Sequence, residues 1–195
     1  IKFYKTQRKI MKKSQIYSVV CKIFALNFAF SPAQNLLDEI KKNPNWILRS
    51  SNEANIKGGE FYLKSLSSES AQIIKSDFEN LKKYFSADFF FEKESEILTK
   101  LYEKCGFSPN LKTSSIDSVT NEFSFLSAFL ELEASKDRNE TAAIFLGVHL
   151  LPLIERLAPI LQKEAKSDYY KAFGYFLEDF ALIIEANLKI KAIKR

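Results

Sequence analysis

Apolar residues recur three and four positions apart along most of this chain, the spacing of α-helices with one buried face. Ile16, Val19, Val20, Ile23, Phe24 and Phe28 keep that spacing and predict a first helix over about residues 7–28. Ser31-Pro32 has the form of an N-cap followed by a proline at the first helical position, so a second helix is expected over 33–42, stopped by Asn43-Pro44. The lone tryptophan in Trp46-Ile47-Leu48 is expected to anchor a short inward-packed piece. Residues 50–59, SSNEANIKGG, are the most loop-like stretch and predict an internal loop or hinge. Ser67-Ser68 suits the cap of a helix over 69–85 that buries Ile73, Ile74, Phe78, Leu81 and Phe85. Residues 94–105 form the next pattern, with Ile97, Leu98, Leu101 and Tyr102 apolar and Gly106 placed to close it.

Asp117 or Ser118 can cap a helix whose apolar positions are Val119, Phe123, Leu126, Phe129, Leu130 and Leu132. The polar segment SKDRNE predicts a turn, followed by a helix over 141–151 that Pro152 bends or restarts. Ser167 caps the last helix, where Tyr170, Phe173, Gly174, Phe176, Leu177, Phe180, Ile183 and Ile184 form a wide apolar band. A basic tail, Lys189, Lys191, Lys194 and Arg195, suits a helix C-terminus. No stretch makes a convincing strand. The expected fold is all-α: a single-domain helical bundle of about eight to ten helices over residues 1–195.

Composition supports long elements with short connections. The chain has eighteen Phe and eight Tyr but only five Gly and five Pro, and its 195 residues fit one domain with a substantial core. The formal charge of +5 is concentrated at one end, because residues 1–13 hold six Lys/Arg and no acid. Residues 114–140 hold six acids against two bases. This distribution disfavours a general nucleic-acid surface. Cys21 and Cys105 are far apart, with no CxxC and no histidine nearby, which points to reduced thiols in a cytosolic protein. Met11-Lys-Lys followed by an apolar run imitates a signal peptide, but Lys22 and Asn27 interrupt the run and its helical spacing favours an amphipathic first helix. Met11 also offers a natural start, with residues 1–10 as an extension. No run reaches the roughly 20 uninterrupted apolar residues of a membrane span.

The chemistry-bearing residues are few. Asp117 suits either a bidentate partner for an arginine guanidinium or a plain N-cap. Glu122, one turn into an apolar helix, needs a partner or a solvated groove. Glu131 and Glu133 suit a solvated helix end. His149, the only histidine, fits a core histidine or a ligand contact, and no second His or Cys stands at metal-ligand spacing beside it. Neither a nucleophile-elbow pattern nor a glycine-rich phosphate loop is present. Three consecutive phenylalanines, Phe89 to Phe91, cannot all face one side of a helix, which suggests that part of the Phe85 to Phe91 aromatic surface is exposed or grooved.

Ile116-Asp117, Glu122-Phe123-Ser124-Phe125-Leu126, a charged turn, Phe145, His149-Leu150-Leu151-Pro152, Tyr169-Tyr170 and Phe176-Leu177 occur in an order that resembles the TorD/DmsD/NarJ family of molybdoenzyme chaperones. Leu81 to Phe85, Glu94-Ser95, Tyr102 and Gly106-Phe107 extend the resemblance upstream, so that it covers most of residues 10–185. Two departures stand out: Ser118 replaces the family's usual histidine, and ADFFFEKE replaces a proline-containing loop. The resemblance implies an all-helical cytoplasmic chaperone, not an enzyme. Its partners would be the twin-arginine signal peptide and the apoprotein of a molybdenum-containing oxidoreductase, with no nucleic acid and no stable membrane insertion. It further implies a peptide-binding set of Asp117, Glu122, His149, Phe85, Phe89, Phe91, Ser95 and Tyr102. It carries no resident cofactor and no metal; guanine nucleotide and molybdenum cofactor enter only as contacts discussed for the family. A monomer and a helix-swapped dimer both fit. The competing reading is a small-ligand-binding or enzymatic helical domain using His149 with neighbouring carboxylates, and a third is a nucleic-acid role for the basic N-terminus.

Overall fold

The computed structural model describes residues 2–44, 50–109, 114–133 and 135–195, with side chains from residue 14 onward. The fold is all-α, as expected, with nine α-helices among the described residues. They are α1 (Lys2–Ala29), α2 (Gln34–Lys42), α3 (Glu53–Ser68), α4 (Ala71–Leu81), α5 (Glu94–Lys104), α6 (Val119–Glu131), α7 (Lys136–Phe145), α8 (Leu151–Glu164) and α9 (Asp168–Leu188). Short 3-10 turns cover Lys82–Phe85 and Ala87–Phe89, and a π turn, Leu146–Leu150, joins α7 to α8. The helices group into two compact units, each discontinuous in sequence: residues 1–29 with 86–145, and residues 30–85 with 146–195. The expected Trp46 to Leu48 anchor lies outside the described residues.

The first unit is built on α1 against α6. Phe24 stacks on Phe123 with ring centroids 4.8 Å apart. Small side chains let the backbones approach beside that pair: the Ser127 hydroxyl donates to the Ser18 carbonyl at 3.1 Å, and the Ser18 hydroxyl donates to Glu131 at 2.8 Å. Phe125 centres the aromatic core, with Tyr102, Phe107, Phe129 and Phe145 rings at 5.0, 5.2, 5.1 and 4.7 Å. The helical pattern had placed Leu132 inside and passed over Phe125. Leu132 follows the end of α6 and is exposed, because the apolar face there has no further helix to meet.

The second unit is organised around α9, which packs on α3 along one side and on α8 along another. That double burial accounts for its wide apolar band. Tyr62 of α3 meets Tyr169, Phe173 and Phe176 at 5.7, 6.4 and 6.2 Å. On the α8 side, a Cβ at Gly174 would lie 2.9 Å from the Gln162 nitrogen and 3.0 Å from the Ala158 carbonyl, so only glycine permits this approach.

Several local expectations need correction. Residues 53–59 are not loop or hinge but the start of α3. Asn55 is spent on a buried hydrogen bond to Asp179 at 2.7 Å, and Gly58 makes room for the Phe176 ring, so polar and glycine residues serve a helix interface here. Ser31 does not cap α2; Ala33 occupies that position. Ser70, not Ser67 or Ser68, caps α4, while the latter two hydroxyls donate back to the Lys64 carbonyl. Most of SKDRNE is the first turn of α7.

Pro152 produces the π turn. It has no N–H to offer the carbonyl four residues back, Val148, nor the one five back, Gly147. The chain after α9 supplies both donors: Ile193 N–H to Gly147 at 2.7 Å and the Arg195 guanidinium to Val148 at 3.0 Å. The basic tail therefore satisfies α8's broken ladder instead of the end of its own helix.

The two adjacent glycines of α3 give a paired test. Nothing lies within 4 Å of a Cβ at Gly59, whereas one at Gly58 would be 2.7 Å from the Phe176 ring. Urea unfolding should show Gly59→Ala gaining about 0.5–1 kcal/mol from helix propensity and Gly58→Ala losing about 1–3 kcal/mol from overpacking.

Candidate functional site

The acidic end of α6 explains its own local structure. Ser118 is the N-cap, accepting the Asn121 N–H at 3.2 Å. This frees Asp117 for the segment 86–88: its carboxylate accepts the Ser86 hydroxyl and the Asp88 N–H at 2.7 Å, and its carbonyl accepts the Ala87 N–H at 2.9 Å. Asp88 repeats the arrangement one step on, accepting the Ser95 N–H at the start of α5 at 3.0 Å. Asp117 thus anchors a loop that in turn caps a helix.

These bonds decide what Asp117 can do. It is 2% exposed, and Glu122 is 0% exposed, so neither carboxylate is presented at a surface. Tyr102 is buried close by, and burial, then the negative charges of Glu122, Asp117 and Glu94, raise its hydroxyl well above the usual tyrosine range. Asp117, Glu122 and Tyr102 therefore come together in an interior, not in the groove expected of a peptide-binding set. It missed Glu94, which is buried in the same unit; an acid in the first turn of a helix gives little sequence signal of burial.

The aromatic residues divide similarly. Phe85 lies in the second unit's core, 5.7 Å from Phe78 and 6.4 Å from Tyr170, and Phe91 is buried. Phe89 is 53% exposed, the only member of the expected aromatic set that offers itself to a partner. Ser95 is half-buried at the start of α5. His149 sits on the π turn and is 5% exposed. It belongs to the second unit, whereas Asp117, Glu122, Tyr102, Phe89, Phe91 and Ser95 belong to the first. No group of three or more His, Cys, Asp or Glu residues arranged to hold a metal ion occurs among the described residues.

An open groove of about 260 Å³ lies instead between α8 and α9. Leu151, Ile154, Ala158, Pro159, Ala181 and Leu182 make it apolar, and Glu155, Glu178 and Glu185 edge it. The two helices are antiparallel, joined by residues 165–167, so Glu155 and Glu185 share the end near Leu151 while Gln162 and Glu178 share the other. There the Gln162 amide donates to Glu178 at 2.7 Å. Leu182 is 45% exposed although it lies in a largely buried helix. The sequence signal was available in the outward apolar position Leu182 and in a second proline, Pro159, inside α8. Neither of them was assigned a role from the sequence.

No family model matches the chain, and no curated protein matches it. One helical run among the described residues, Lys136–Glu164, is long and apolar enough to cross a membrane by composition, and 67% of its most apolar window is buried inside the protein.

The buried position of Asp117 reverses an obvious expectation for its replacement. Asp117→Ala should cost about 2–3 kcal/mol in urea unfolding, because the Ser86 hydroxyl and the Asp88 N–H lose their acceptor.

Proposed function

We propose that this chain is a non-catalytic chaperone of the TorD/DmsD/NarJ kind. It binds the N-terminal twin-arginine signal peptide of a molybdenum-containing oxidoreductase and holds the apoprotein in the cytoplasm until cofactor insertion is complete. One observation supports this reading: the residues that carry the resemblance are joints of an all-α fold. Asp117 anchors the 86–88 segment, and Phe125 and Phe145 meet in the first core. His149 lies on the π turn ahead of Pro152, and Tyr169 and Tyr170 open α9 beneath the Ser167 cap. A succession of residues that sets helix starts and helix contacts carries more weight than any one of its motifs.

The physical demands of the partner are specific. A twin-arginine leader offers two planar guanidinium groups and then an apolar, helix-prone stretch, which calls for carboxylates beside an apolar groove. The formal charge of +5 opposes a basic peptide at long range, so recognition has to come from local carboxylates and apolar burial.

Isothermal titration calorimetry with a synthetic twin-arginine leader and its Lys-Lys variant tests the reading. The arginine peptide should bind roughly ten-fold more tightly, since lysine cannot reproduce the bidentate geometry. Equal affinity for an unrelated basic amphipathic peptide would count against it. Tight oligonucleotide binding that falls steeply with salt would instead favour a nucleic-acid role.

A further inference from the structure

We infer that the α8–α9 groove is the docking site for the leader peptide, with its arginine pair held at the Glu155–Glu185 end. This rests on the leader-binding reading above and moves the site away from the buried carboxylates of α6.

The groove supplies both chemistries side by side. Its apolar lining runs from Leu151 to Ala158 and Pro159 on α8 and includes Ala181 and Leu182 on α9. At about 1.5 Å per residue, the α8 wall from Leu151 to Gln162 is about 16 Å long. Pro159 and Leu182 are exposed, so apolar side chains laid over them remove water from surface that the folded chain leaves wet.

The two ends are not equivalent. Glu178 already accepts the Gln162 amide. Glu155 and Glu185 form no ion pair among the described residues, and Arg156, next to Glu155, is directed to the Arg195 carbonyl at 3.3 Å. Glu185 also lies in the last turn of α9, a turn with no basic residue of its own that ends at the Lys189 C-cap. Two carboxylates and a helix C-terminus make this the more cation-seeking end. An apolar helix entering from the arginine pair would then lie over Ala158, Pro159 and Leu182. This fixes the orientation of the peptide as well as its site.

Calorimetry on the full chain with the arginine leader, its Lys-Lys variant and three protein variants separates the outcomes. Glu155→Lys/Glu185→Lys should weaken the arginine leader at least ten-fold, an effect of the size expected for losing charge-assisted pairs. Glu178→Lys should weaken it by less than about three-fold. Leu182→Gln, which keeps every charge, should weaken both peptides alike because it removes apolar contact. Unfolding midpoints close to that of the unmodified chain establish that each variant is folded. If the unmodified chain prefers the arginine leader and the double variant binds it equally well, the groove is not the site and the leader-binding reading stands. If the unmodified chain binds neither peptide, the leader-binding reading itself fails.

Discussion

Buried carboxylates that accept backbone N–H groups at helix starts are the interaction on which this fold depends. A helix leaves its first N–H groups without partners, and burying that end requires acceptors from elsewhere. At the start of α9, one oxygen of Asp77 accepts the N–H groups of Lys166 and Ser167 and the Ser167 hydroxyl, at 3.0, 2.8 and 2.6 Å. Glu69 takes the N–H groups of Asp168 and Tyr169 at 2.7 and 3.1 Å, and the Ser167 hydroxyl accepts from Tyr170 at 3.2 Å. The negative charges also lie at the positive end of the helix dipole. With α9 fixed in this way, α3 and α8 have a surface on which to pack.

Carboxylates also tie loops to helices elsewhere in the chain. Asp179 binds the Ser50 hydroxyl and the amides of Asn52 and Asn55, which sets the entry into α3. Asp117 holds the 86–88 segment, and Asp88 holds the start of α5. Asp117, which looks in sequence like a receptor for an external cation, is already bonded to this chain's own donors, and Glu122 is buried in the interior. On the proposed leader-binding reading, Glu155 and Glu185 at the α8–α9 groove are the carboxylates left for a cationic partner.

Helical periodicity made the fold class legible, and most helices begin or end within a few residues of their expected limits. Several of the failures share one cause. Polar and small residues were read as solvent-facing or loop-forming, whereas here they lie inside. Asn55 and Gly58 belong to an interface between helices, and Asp117 and Glu122 to an interior. Each depends on a partner from a distant part of the chain, such as Asp179 for Asn55 or Phe176 for Gly58, and local pattern contains no record of that partner. The groove was illegible for the complementary reason. Helical spacing alone does not say which apolar positions a neighbour covers, and only the packed structure leaves Leu182 and Pro159 exposed.

The most direct measurement of the carboxylate's role is equilibrium urea unfolding of Asp77→Ala beside Asp77→Asn. Alanine leaves three donors at the α9 start without their acceptor, whereas asparagine keeps a side-chain oxygen for them. The account predicts a loss of about 3 kcal/mol or more for Asp77→Ala and a clearly smaller one for Asp77→Asn. A loss below about 1 kcal/mol for Asp77→Ala would contradict it, showing that α9 is held by apolar packing alone.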